Sequence, residues 1–413
     1  MLRPLTAHDV GFEWPRLRLP IFFIVDDPAP CLNLAFFEQY FERGHVRDVP
    51  NAFTSAWADL VEEFGVRGKF SVLPIPAALG RIDRPLPDVT PADQEEFLRI
   101  VRERVSPQMD ICIEFLTHFL AWDIRRDRPL DYTEKTMAPH TDRGHLTEYF
   151  AYGLRILQDL GLDPTGATSP GASCVEIEGQ YQAAIRDAVR EVTGRPIAWY
   201  FLHVDLRSPV VLPRVMSLDR ERGEACVTMV SAGNDPSWNT QWERPSTLDD
   251  LITVDGQAGR LVELFRNRSV IGFHTHWQSL FSEGRWTGLR DLRTTLGRIR
   301  EHFGDGVAWT KCSDLARVVA AQAVTRVTVD AGAGGDADTP AKVTLASTIA
   351  CPDFTVRLRT ARPVRSVHAG PAPLRRLGDG DGPLEPGTWR AEPGGGIVWC
   401  ADLPAGTLDV SVF

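Results

Sequence analysis

Two adjacent carboxylates, Asp26 and Asp27, close the apolar run IFFIV. Two acids at a buried strand end are costly to ionise together unless a metal or another cation compensates. A turn cap is the competing role, because Pro28 follows. Downstream, His118 ends DICIEFLTH, and His140 and His145 lie in APHTDRGH. One Asp with two imidazoles is a common ligand set for zinc or another divalent ion, and it leaves positions for water and substrate. Asp123 is a further ligand candidate. His274 and His276, in SVIGFHTH, are two residues apart, so both face one side of a strand. Either can serve as a general acid. H-x-H is also a ligand spacing, so this pair competes with His118 and His145 for the metal.

These residues need elements that bring them together. From about residue 20 to 320, strand-like and helix-like segments alternate. Strands are expected at Ile21–Val25, Lys69–Pro74, Asp110–Phe115, Ile197–Val204, Ala225–Val230, Ser269–His276 and Val307–Trp309. Helices are expected at Asn33–Phe41, Ser55–Phe64, Gln94–Val105, Leu146–Leu160, Glu178–Val192, Leu289–His302 and Ser313–Gln322, and one within Leu248–Asn267. Thr90-Pro91 reads as a helix start, Gly161 as a C-cap and Ser313 as an N-cap. The alternation predicts parallel strands with crossover helices. Seven or eight such strands fit a (β/α) barrel, irregular or incomplete, better than a doubly wound sheet. In a barrel, polar residues that end apolar strands gather at one rim. After residue 322 short β runs alternate with Gly/Pro/Asp clusters such as Gly332–Thr339 and Gly378–Gly382. The expected organisation is a barrel over 1–322 and an antiparallel, sandwich-like β domain over 323–413.

Composition narrows the partners. Hydrophobic residues make up 43% and charged residues 24% of the 413, the values of a core-forming chain. The net charge of −10 argues against a non-specific hold on nucleic-acid phosphates. Four lysines stand against forty-one arginines. No apolar run is long enough to span a membrane, and Met1 to Trp14 lack the pattern of a secretory leader. Seven scattered cysteines without a C-x-x-C pair point to free thiols in a reducing, cytoplasmic setting. No Walker A loop or G-x-G-x-x-G after the first strand supports nucleotide binding.

The order of these pieces resembles the polysaccharide deacetylase (NodB-homology) superfamily of metal-dependent hydrolases. The resemblance rests on IVDDPAP, on GVRGKFSVLP with Gly65, Val66 and Phe70 in register, on the turn GLDPTGATSPGAS, on NDPSW, and on VIGFHTH. It implies Asp26 as general base, Asp27 as a metal ligand, and His274 or His276 as the acid that protonates the leaving group. It also implies that His118, with His140 or His145, completes the site of a divalent ion, zinc being expected. Backbone N–H groups near Ser169–Gly171, in the turn that includes Pro170, fall where an oxyanion would be stabilised. Asp235, Trp238 and Trp277 fall where substrate would bind. Two departures stand out: no compact H-x-x-x-H follows the third strand, and Thr168 and Gly171 occupy the places of a motif Arg and Tyr. The expected activity is removal of an acyl group, as amide or ester, from a sugar or sugar-containing metabolite. A small molecule or oligosaccharide is the expected substrate, with self-association left open. Two other readings compete: a glycoside hydrolase using paired carboxylates such as Glu114 and Glu148, and a carbohydrate-binding protein without catalysis.

Overall fold

Leu19–Asp26 (β1) reads LPIFFIVD and is buried along its whole length. A strand with no exposed face belongs inside a parallel sheet covered by helices. The computed structural model describes residues 5–32, 49–234, 247–330, 340–378, 381–393 and 395–413. The helix expected at Asn33–Phe41 and the loop at Gly332–Thr339 lie outside the described residues.

The sheet around β1 contains Gly68–Ser71 (β2), Asp110–Glu114 (β3), Pro164–Thr168 (β4), Ile197–Val204 (β5), Arg214–Asp219 (β6), Glu224–Ser231 (β7), Ile271–His276 (β8) and Val307–Trp309 (β9). Its order is β8-β1-β2-β3-β4-β5-β7-β6, with β9 pairing β1 beside this path. The pairings from β8 through β7 are all parallel. The sheet curls. The N–H of Ala232, just past β7, donates to Gly272 of β8, and the N–H of His274 donates to Gly233. One parallel bridge, Gly233 to Phe273, joins these two strands. The result is a partial barrel, the incomplete form that the sequence allowed, with a single bridge between these two strands among the described residues.

Helices Asn51–Phe64 (α1), Pro91–Ile100 (α2), Arg143–Asp159 (α3), Glu178–Thr193 (α4) and Thr287–Phe303 (α5) connect the strands. Thr90 caps α2 by accepting from Asp93 N–H. Gly161, at φ +75, follows α3. Close packing is explicit at Gly153 of α3, where a Cβ would lie 2.5 Å from Leu116 and 3.4 Å from Ile113. Alternation in β3 sends Ile111 and Ile113 toward helices and Asp110, Cys112 and Glu114 to the other face. Ser313 is not an N-cap but lies inside a helix, Cys312–Val324. Its N–H and O–H donate to Asp110, at 2.6 and 2.8 Å.

Contacts divide the chain into Pro20–Ser217 with Ala225–Ala316, and Met1–Leu19 with Leu218–Glu224 and Arg317–Phe413. The second unit therefore includes an N-terminal piece that the sequence grouped with the barrel. It contains two five-stranded, mostly antiparallel sheets. Val10–Glu13 pairs with Cys351–Leu358 in one. The other is centred on Ala341–Ser347 and Gly406–Val412.

Candidate metal centre

Asp26 is the last residue of β1 and Asp27 the first beyond it. Strand alternation would point them apart, but Asp27 adopts φ +73. This left-handed conformation, tolerated by Asp better than by most residues, lets both acids reach the interior. Both are buried. Asp27 N–H donates to Glu114 Oε2 at 2.9 Å, and Gln278 Nε2 donates to Asp27 Oδ2 at 2.7 Å. Each carboxylate thus uses one oxygen for structure. Of the other two, Asp27 Oδ1 lies 3.2 Å and Glu114 Oε1 3.6 Å from His118 Nε2. Asp27, Glu114 and His118 each offer a ligand atom, and these atoms lie within 4.8 Å of one another. Asp27 Oδ1 is buried without a hydrogen-bond partner. Two hard oxygens and one imidazole, gathered around such an atom, fit a divalent cation.

His118 is held in place by its backbone. Phe115 and His118 have φ +45 and +55. The buried Glu134 carboxylate accepts N–H bonds from Leu116, Thr117 and His118 at 2.9, 3.0 and 2.7 Å, and an O–H bond from Tyr149 at 2.7 Å. Glu134 follows a hairpin, Leu120–Asp123 and Arg128–Thr133. This hairpin lies between His118 and the segment that carries His140 and His145.

The charges are unevenly distributed. Burial pushes Glu114 up to about 8, helped by the negative charges of Asp26 and Asp27. Burial also acts to raise Asp27, but His118, His276, the Gln278 hydrogen bond and Lys69 outweigh it and hold Asp27 below its ordinary range. Burial pushes Glu134 up to about 7, against the lowering by its hydrogen bonds. Lys69 on β2 is fully buried and pairs with Asp26 Oδ1. Burial alone would depress the Lys69 ammonium, but Asp26, Cys112 and Glu114 hold it above its ordinary range.

His274 is buried within β8, two residues before its end, with Nδ1 3.0 Å from Gly233 O and 2.9 Å from Ser231 Oγ. A carbonyl can only accept, which places the proton on Nδ1. The His276 ring is centred 5.7 Å from that of His274.

Other expected positions lie elsewhere. His140 stacks on Tyr132 at 4.2 Å and is exposed. His145 sits in the first turn of α3, with Nδ1 3.1 Å from Thr141 Oγ1. Neither belongs to the three-residue group, in which Glu114 takes the third place. Asp123 is occupied by the N–H groups of Arg125 and Arg126. Trp277, expected against substrate, is 1% exposed and packs on Phe53, Trp57 and Phe70. The helix Trp277–Phe281 begins there and turns the indole into the core, while Gln278 reaches Asp27. Ser169 N–H donates to Phe201 O, so the sheet uses a donor expected for an oxyanion. Pro170 O accepts from Ser173 Oγ, and Gly171 has φ +57. Asp235 and Trp238 lie outside the described residues. Glu148 is exposed and paired with Arg125 at 3.1 Å, so it is no partner for buried Glu114. Sequence reasoning passed over Lys69, Glu134 and Gln278 as site residues. A lysine, one of four in the chain, at the start of the strand run KFSVLP was the available signal for Lys69.

No known family profile matches the chain, and no curated protein sequence matches it. Solved structures similar to it include a probable polysaccharide deacetylase from Pseudomonas aeruginosa PAO1. It is 14% identical over 73% of this chain and 90% of that one, with a TM-score of 0.41. The allantoinase Puue is 14% identical over the same shares, with a TM-score of 0.40. A CE4 family pseudoenzyme from Bacillus anthracis is 9% identical over 72% of this chain and 66% of that one, with a TM-score of 0.32.

Proposed function

We propose that the chain is a metal-dependent hydrolase that removes an acyl group, as amide or ester, from a sugar or sugar-containing metabolite. The reading is carried by the convergence of Asp27 Oδ1, Glu114 Oε1 and His118 Nε2 beside a separate carboxylate, Asp26, paired with a buried ammonium. Asp27, Glu114 and His118 would hold the ion, zinc being the one proposed. The chemistry a bound divalent ion supplies is polarisation of the scissile carbonyl and a lowered pKa for water.

The chain's own groups handle the protons. Asp26 accepts a proton from the attacking water, its carboxylate oriented by Lys69. His274 is anchored through Nδ1–H, so its imidazolium form delivers the Nε2 proton to the leaving amine or alcohol and is left as the neutral ring with its proton on Nδ1. His276 is the alternative donor on the same strand face.

Acetate release from acetylated chito- and xylo-oligosaccharides tests this reading. Chelator-treated protein should lose the activity, and added Zn²⁺ should restore it. Release of reducing sugar instead of acetate, or turnover indifferent to chelator, would contradict it.

A further inference from the structure

Asp26 and Asp27 are neighbours in the chain with separate sets of partners. Asp27 faces Glu114, His118 and Gln278. Asp26 Oδ1 receives Lys69 Nζ, which also donates to Ser71 Oγ at 2.7 Å. Ser71 Oγ lies 3.5 Å from the same Asp26 oxygen. Phe201 of β5 presents its ring 5.5 Å from the ammonium.

Lys69 has little freedom to leave. It lies in β2, in register with Ile24 of β1 and Asp110 of β3. At the preceding Gly68 (φ +144), a Cβ would come within 1.9 Å of Phe23 O, so β1 and β2 approach too closely for any other residue.

We propose that Lys69 is a positioning residue that divides the acid pair. It holds Asp26 out of the coordination sphere formed by Asp27, Glu114 and His118, leaving two carboxylate ligands and one carboxylate for proton transfer. An ammonium on a carboxylate oxygen competes with a divalent cation for that oxygen, and in a dry interior the two positive charges repel strongly. Without Lys69, Asp26 would be a third anionic ligand beside Asp27. This inference rests on the metal-centre reading above.

Cobalt(II) titration followed by visible absorption tests it on the full chain. Asp26→Asn should reproduce the wild-type bands, because Asp26 is no ligand. Lys69→Met should change the bands and bind cobalt about tenfold tighter, because an added carboxylate raises the ligand charge. Adding Asp26→Asn to Lys69→Met should restore the wild-type spectrum. Lys69→Arg keeps a cation should the apolar variant not fold, and its spectrum should stay insensitive to Asp26→Asn. Altered bands in Asp26→Asn alone, or a Lys69→Met spectrum identical to wild type, would overturn the inference. Wild type that takes up no cobalt would instead overturn the metal-centre reading.

Discussion

His118 Nε2 lies 3.2 Å from Asp27 Oδ1, although the two residues follow β3 and β1, strands separated by β2. Left-handed backbone at Asp27 and His118 turns both toward Glu114, and Glu134 secures the His118 loop from behind.

Glu134 should therefore matter for both stability and metal binding. Glu134→Ala leaves three backbone N–H groups and the Tyr149 hydroxyl without their acceptor. We expect a loss of about 3–5 kcal/mol in urea unfolding. Zinc affinity should fall at least about tenfold, the usual effect of removing a group that orients a ligand. Unchanged zinc affinity in folded Glu134→Ala would refute the anchoring role.

Trp277 separates a core role from a substrate role. Trp277→Ala should cost about 3–5 kcal/mol through the cavity left among Phe53, Trp57 and Phe70. Trp277→Phe should restore most of that stability with KM unchanged. A raised KM in a fully stable Trp277→Phe would return the residue to the substrate site.

Asp110 gives a pH signature away from the metal centre. Burial pushes it up to about 6 from 3.8, more than the Ser313 hydrogen bonds lower it. A raised folded pKa means the native state holds the proton more tightly. Its stabilisation is complete below the unfolded value and is lost as pH rises through about 6. Over that window wild type should lose about 3 kcal/mol relative to Asp110→Asn. Unfolding free energies of the two proteins that run parallel between pH 4 and pH 7 would contradict this.

Much of the strand framework was legible because buried parallel strands are short apolar runs with polar ends. Asp26-Asp27 and His118 stood out for that reason. Glu114 was weighed as a glycosidase acid rather than a ligand, since the turn that carries Asp27 to it depends on one backbone angle. Nearness in sequence misled at His140 and His145, because the hairpin over residues 120–133 intervenes between them and the end of β3. That hairpin also delivers Glu134, a link between segments that no local periodicity encodes. Trp277 was misplaced because strand alternation stops at His276, where a helix begins. Val10–Glu13 escaped notice because its pairing partner is Cys351–Leu358, far along the chain.

Metal content is the most direct test of the central claim. Protein loaded with zinc, desalted and analysed by mass spectrometry should retain about one equivalent, as should His140→Ala and His145→Ala. Asp27→Ala, Glu114→Ala and His118→Ala should each lose the ion while remaining folded by circular dichroism. Equal zinc in wild type and these three variants, or loss of zinc on replacing His140 or His145, would contradict the account.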